Sequence, residues 1–539
     1  MRSVAVIGGG ITGLTAAFYL QRKGIPVTVY EGSNRVGGVI QSLKRDGFLA
    51  EFGPNTILET SPKIAQLVRD AGLESRRLDP DLRAEARYVV RYKRPIEMPG
   101  SPLGFFTTKL FTAKAKFAVL REPFVPARRD GKEESIAEFV QRRLGQEFLD
   151  HAIDALVAGV YAGDPYKLSV AQAFPKLGQL EARFGSLIKG QILGARERKK
   201  RGEVAKDRAA KFSFDDGLQV LPDTLAERLG EALHLNTSVV KVTQRADGWV
   251  LDLREVKETA QAEHSAVIYA GTAFKLAELR IEAGTDLNLS GLSEVRYPPV
   301  ASVVLGFRRE DVAHPCEGFG MLIPKVEGFK ILGTIFSSSL FPNRAPAGHL
   351  TLTSYVGGER YPELASLPSE RLFELACEDL RVLLGVRGKP VFQHSVFYPR
   401  AIPQYNVGYG QYRQLMTDAE SKAPGLFLAG HYRDGVSLSD SIVSGCNVAD
   451  RVEKYMANKS HSQTPPSQAA RLEASRAANH TKATEGSRTP RPVGDSLALR
   501  NARSVLECGC PLPLSGDVRQ RLNAFNRIRL NSYSIPHFS

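Results

Sequence analysis

Residues 4–31, VAVIGGGITGLTAAFYLQRKGIPVTVYE, decide the fold of this chain, and residues 32–38, GSNRVGG, extend the same signal. Residues 4–7 are a short apolar run with the character of a buried strand, and Gly8, Gly10 and Gly13 then supply GxGxxG before a helix predicted over residues 12–23. The glycines allow a tight turn and let the backbone approach a pyrophosphate, while the first helical turn, with Ile11 and Thr12, presents unpaired N–H groups and the positive end of the helix dipole. A second strand over residues 27–30 ends at Glu31, followed by Gly32, and a carboxylate there suits the hydroxyls of a ribose. Strand, turn, helix, strand and acid in register predict an α/β fold with a Rossmann-like dinucleotide domain.

At 539 residues, 42% of them hydrophobic, the chain has room for about three or four domains with sizeable cores. No apolar run reaches the roughly 18 residues of a membrane span, and the first strand begins too early to leave room for a signal peptide, so a cytoplasmic protein is expected. Cys316, Cys377, Cys446, Cys508 and Cys510 lack metal-ligand spacing, and the expectation is unpaired thiols and no metal. Half of the net charge of +14 lies from residue 457 onward. Residues 457–539 are rich in Ser, Pro, Arg and Asn and are expected to form a disordered basic tail, without the aromatic interleaving of a nucleic-acid binder. Residues 485–515 read like translation past the natural end of a gene.

The extension Arg35-Val36-Gly37-Gly38 resembles that of glutathione reductase-like flavoproteins of the amine oxidase type. The resemblance implies FAD, with Arg35, Gly37 and Gly38 along its diphosphate and flavin. Residues 425–445, GLFLAGHYRDGVSLSDSIVSG, resemble the C-terminal flavin motif of that superfamily: Gly430 breaks a strand, and Val436, Ser437 and Leu438 open a helix whose N–H groups suit the flavin pyrimidine. No Cys shortly precedes Gly425, so the FAD is expected to be non-covalent. Residues 234–242, HLNTSVVKV, read as a strand rejoining this domain, and in relatives the residue matching Val239 touches the adenine through its backbone.

Six further segments narrow the resemblance: EFGPN at 51–55, ARYV at 86–89, AGVYAGDP at 158–165, FDDGLQVLP at 214–222, GFGM at 318–321 and GTIFSSSLFPNRAP at 333–346. Together they resemble the oxygen-dependent protoporphyrinogen oxidases of haem and chlorophyll synthesis, the plastid type most closely, from residue 1 to about residue 456. This family resemblance implies six-electron oxidation of a porphyrinogen through FAD, with dioxygen reduced to hydrogen peroxide. It places Gly53, Pro54 and Asn55 beside the flavin, Asn55 as an orienting group, with no acid or base assigned on the protein. It implies Arg87 on a substrate propionate, Phe341 stacked on a pyrrole, Leu305 and Met321 on the opposite wall, and Gly163 and Gly320 in the same pocket; Gly159 fits the Gly163 pattern equally.

The expected architecture is a discontinuous FAD domain from residues 1–70, 205–288 and 406–456, a mixed-sheet substrate domain at 289–405, and a helical membrane-facing insertion at 71–200. Residues 102–125 interleave Phe105, Phe106, Leu110, Phe111, Phe117 and Phe124 with Lys109, Lys114 and Lys116, as an amphipathic helix on an anionic lipid surface would, and the basic run at 196–201 can join it. Peripheral membrane association follows, and a homodimer is usual in the family. Three alternatives stay open: a coproporphyrinogen III oxidase, which would need more cations than Arg87; another amine oxidase-like flavoenzyme; and a non-catalytic FAD-bound membrane scaffold.

Overall fold

The computed structural model describes residues 3–201, 209–255, 258–284 and 287–462. Strand Val4–Ile7 is the central member of a five-stranded parallel sheet whose spatial order is Leu233–His234, Val27–Tyr30, Val4–Ile7, Ala266–Tyr269, Leu426–Leu428. Segments from the start, middle and end of the chain therefore share one sheet, as the discontinuous domain requires. Its central strands are apolar and buried on both faces, as in parallel sheets covered by helices.

The predicted helix is Ile11–Arg22, and it packs against the long helix Leu438–Ser462. Two contacts fix that pair: Thr12 Oγ1 donates to Ser441 O at 3.0 Å, and a Cβ on Gly445 would stand 2.6 Å from Thr12 O. The helix runs past the expected boundary at 456, and Lys459 Nζ donates to Asp247 O at 2.9 Å, which ties down its last turns. The rest of the expected tail lies outside the described residues.

A seven-stranded sheet forms the second layer system, in the order Phe392–Tyr398, Val300–Arg308, His349–Gly357, Ile331–Ile335, Gly320–Leu322, Arg87–Arg91, Arg94–Glu97. It is mixed: Arg87–Arg91 pairs parallel to Gly320–Leu322, and the other neighbours are antiparallel. Two strands from the 71–200 segment thus complete a sheet otherwise drawn from 289–405. Side chains alternate across it. Ala301, Val303, Leu305 and Phe307 join Leu372, Ala376 and Leu380 of helix Ser369–Leu384 in one apolar cluster, whereas Val304 packs with Phe48, Ala50 and Phe52 of the N-terminal segment.

The 102–125 stretch is two short helices, Pro102–Thr107 and Ala113–Arg121, rather than one amphipathic helix. Phe105, Leu110 and Phe111 are buried core. Lys116 Nζ donates to Phe106 O and Thr108 O, both at 2.7 Å, which closes the connection between the helices. Leu103, Phe106, Phe117, Leu120 and Phe124 remain exposed. Behind them a buried ion network locks the helices: Arg143 donates to Glu122 and Glu181, and Glu122 also accepts from Ser186 Oγ and from the N–H groups of Leu187 and Ile188. Side chains of the basic run at 196–201 lie outside the described residues.

Candidate active site

At the C-terminal ends of the parallel strands two helix N-termini meet, those of Ile11–Arg22 and Leu438–Ser462. Gly8 has φ +113°, and its N–H donates to Tyr30 O at 2.9 Å, which turns the chain out of the first strand. A Cβ on Gly13 would lie 2.0 Å from Gly8 O, so only glycine permits this helix–strand approach. Gly10 is different: a Cβ there would meet nothing within 4 Å, and Gly38 is the residue facing it, its own Cβ position 3.7 Å from Gly10 Cα. Open space at Gly10, an N-cap without a side-chain bond and no acidic residue in the first turn leave the helix N-terminus ready for an anion. The residues present fit the diphosphate of FAD.

Around this cradle, Glu31 accepts from Gly9 N at 2.7 Å and Ser33 N at 2.8 Å, leaving the other lone pairs of its carboxylate for ribose hydroxyls. Thr237 N donates to Glu31 O, and a Cβ on Gly32 would meet Ser238 Oγ at 2.8 Å, which brings the strand that continues into Val239 against Glu31 and Gly32. Arg35 donates to Val36 O and Ile40 O at 3.1 Å and to Gly38 O, holding the loop of Gly37 and Gly38 in shape from within. Gly37 N donates to Gly9 O at 2.9 Å.

The second helix N-terminus is the one expected to face the flavin. Ser437 and Asp440 cap it reciprocally: Ser437 Oγ donates to Asp440 Oδ2 at 2.6 Å, and Asp440 N to Ser437 Oγ at 3.1 Å. Gly430 has φ +123°, and its N–H donates to Ser444 Oγ at 2.9 Å. Two tyrosines that motif reading missed hold the intervening loop from below. Tyr405 OH donates to His431 O and accepts from Gly435 N at 3.1 Å, while Tyr409 OH donates to Tyr432 O. Their i, i+4 spacing in QYNVGYGQY was the available signal. Burial pushes His431 down to about 4, so its imidazole is neutral at ordinary pH.

Strand alternation sorts the expected substrate residues. Register pairs Arg87 with Gly320, Gly320 with Ile335, and Ile335 with Thr353, so these lie on the sheet face that carries Val304 and Tyr355. Phe341 is buried with Ile335, Phe319 and Ala84, which brings Arg87, Gly320 and Phe341 into one neighbourhood. A Cβ on Gly320 would lie 2.3 Å from Thr334 O, a close approach that explains the glycine. Leu305 and Met321 are placed on the opposite face, in the cluster packed under helix Ser369–Leu384. Gly163 abuts Gln404, whose Oε1 would be 2.5 Å from an added Cβ; Gly159 likewise abuts Leu322, at 2.4 Å.

Lys211 was not anticipated. It is half-buried, and its pKa is lowered by burial first and then by the Arg87 charge nearby, with the Glu85 carboxylate pulling the other way. Three of the resembling segments also meet at one buried ion pair. Glu51 of EFGPN accepts from Arg344 at 3.1 Å, Ser42 Oγ at 2.6 Å and Leu218 N at 2.9 Å, and Arg344 donates to Ser213 Oγ at 2.6 Å. Gly53 is locked beside it, a Cβ falling 2.3 Å from Val39 O, and Asn55 Nδ2 reaches Tyr355 OH at 2.7 Å. Pro54 links the two.

Among the described residues no cluster of His, Cys, Asp and Glu can hold a metal, Cys316, Cys377 and Cys446 are free, and no helix is long and apolar enough to cross a membrane.

Comparison with known proteins identifies the family. The profile of the family "Flavin containing amine oxidoreductase" matches residues 11–453. Protoporphyrinogen oxidase 2, chloroplastic/mitochondrial, of Arabidopsis thaliana is 35% identical over 86% of this chain and 96% of that protein. Coproporphyrinogen III oxidase of Bacillus subtilis is 30% identical over 82% of this chain and 96% of its own length. A crystal structure from an Exiguobacterium strain, provisionally assigned as a protoporphyrinogen oxidase, superposes with a TM-score of 0.70 at 23% identity, covering 84% of this chain and 99% of that one.

Proposed function

We propose that this chain, which belongs to the flavin containing amine oxidoreductase family, is an FAD-dependent porphyrinogen oxidase that converts protoporphyrinogen IX to protoporphyrin IX in tetrapyrrole synthesis. Held there, FAD would supply hydride acceptance from the macrocycle and two-electron reduction of dioxygen to hydrogen peroxide. Gly8, Gly10, Gly13 and the two helix N-termini hold the cofactor non-covalently, and the helix opening at Val436, Ser437 and Leu438 favours negative charge at the flavin end.

Arg87 carries the substrate reading. It stands on the sheet face turned to the groove, and its fork geometry matches a propionate bidentately. Lys211 adds a second cation for the second propionate of protoporphyrinogen. Phe319 and Ile335, partly buried against Phe341, supply apolar surface for pyrrole rings; Phe341 itself, expected to stack on a pyrrole, is buried behind them. His431, neutral above about pH 4, contributes no charge there.

The test is aerobic turnover with protoporphyrinogen IX and with coproporphyrinogen III. Faster porphyrin formation from the first, with about three peroxides per porphyrin, supports the proposal. Preference for the second assigns the four-carboxylate substrate instead.

Peripheral membrane docking is the finer part of the proposal. Leu103 is 75% and Phe124 83% exposed, and with Phe106, Phe117 and Leu120 they form an apolar surface flanked by exposed Lys109 and Lys114. Co-flotation with vesicles of anionic lipid is expected, and replacing Phe117 and Phe124 together by Ser is expected to weaken it about tenfold or more. Equal flotation with and without the two rings would count against it.

A further inference from the structure

Resting on the porphyrinogen reading, we propose that Tyr355 is a positioning residue that turns the Asn55 carbonyl, rather than its amino group, toward the ligand, so that Asn55 accepts a hydrogen bond from a pyrrole N–H. Asn55 Nδ2 donates to Tyr355 OH at 2.7 Å and to Gly53 O at 3.3 Å. Tyr355 OH donates onward to Gly53 O at 3.2 Å. A phenol has one hydrogen, and once it is given to Gly53 O only lone pairs face Asn55, so the amide must meet them with its N–H side. Burial raises the Tyr355 pKa well above the usual value, which keeps that hydrogen in place.

Both donors of the Asn55 amide are therefore engaged, while among the described residues no protein donor meets Oδ1. Asn55 is only 7% exposed, yet its Oδ1 is not among the fully enclosed polar atoms that lack a partner, so the carbonyl keeps an opening through which a ligand N–H can replace water. The position suits this: Gly53 is locked against Val39 O on the cofactor side, and Tyr355 comes from the sheet face shared with Arg87 and Gly320. Asn55 thus spans the seam between the two walls of the groove. A porphyrinogen offers about twice as many pyrrole N–H donors as the porphyrin product, so an acceptor fixed here favours substrate over product.

The test compares the FAD-loaded wild type with Tyr355→Phe. For protoporphyrinogen IX the KM is expected to rise about fivefold, the value of one hydrogen bond, while the inhibition constant of protoporphyrin IX changes less. An equal change in both constants, or a change in neither, would overturn the proposal, because a merely structural role weakens substrate and product alike. A second readout needs no turnover: in protein labelled with nitrogen-15 at asparagine, the Asn55 side-chain N–H groups are expected to be protected from exchange and to lose protection in Tyr355→Phe. Rapid exchange in the wild type would refute the relay. If no porphyrinogen reduces the flavin, the pyrrole partner falls with the substrate reading, and the exchange data still decide whether Tyr355 holds the amide.

Discussion

The two walls of the groove are made by different means. The cofactor wall depends on side chains that are missing: Gly13 lets a helix come within 2.0 Å of where its Cβ would meet Gly8 O, and Gly53 allows the same at 2.3 Å from Val39 O. The proposed substrate wall depends on side chains that are present and on which face of a sheet they reach. Arg87 shares the face of Gly320 and Tyr355 because Arg87–Arg91 pairs in register with Gly320–Leu322, far away in sequence, and a slip of one residue would exchange it for Tyr88. A wall of backbone contacts tolerates no insertion of volume; a wall of alternating side chains tolerates substitution and changes what it binds.

The sharpest way to break this contrast is Gly13→Ala. With backbone oxygen 2.0 Å from the new methyl group, the first helix must shift off the sheet, and the purified protein is expected to lose FAD altogether, read as the ratio of flavin to protein absorbance. Retention of full FAD would mean the approach is not essential. Next is Glu51→Ala, which strands Arg344 in the core where the loops of both walls are pinned. Loss of one partner of a buried pair is expected to cost about 3–5 kcal/mol in urea unfolding of the holoenzyme.

A paired comparison sharpens the substrate wall. Leu305→Ala, on the face beneath helix Ser369–Leu384, is expected to lose about 2–5 kcal/mol of stability while KM stays unchanged. Arg87→Ala is expected to raise KM about tenfold or more, with a smaller loss of stability than Leu305→Ala. If Leu305→Ala raised KM and left stability alone, the face assignment would be reversed.

These contrasts also explain what could be read in the sequence. The cofactor wall was legible because each requirement is local: Gly8, Gly10 and Gly13 closely follow the strand they serve, and Glu31 follows the next strand directly. The flavin motif at 425–445 was legible for the same reason. Leu305 and Met321 carry no local mark of their face, since the pairing that sets it joins distant strands. Lys211, Tyr355, Tyr405 and Tyr409 matter through partners outside their own segments, so their roles emerge only once the chain is folded. The 102–125 stretch misled by its regular aromatic content: a break between two short helices sends Phe105, Leu110 and Phe111 inward and Phe106 and Phe117 outward.

The most direct test of porphyrinogen oxidation is anaerobic mixing of the yellow holoenzyme with protoporphyrinogen IX, following loss of flavin absorbance and then its return on admission of air. Rapid bleaching within the turnover time, with porphyrin and peroxide appearing when oxygen enters, is the predicted result. A flavin that stays oxidised with protoporphyrinogen IX and coproporphyrinogen III alike, in protein that retains FAD, would contradict it.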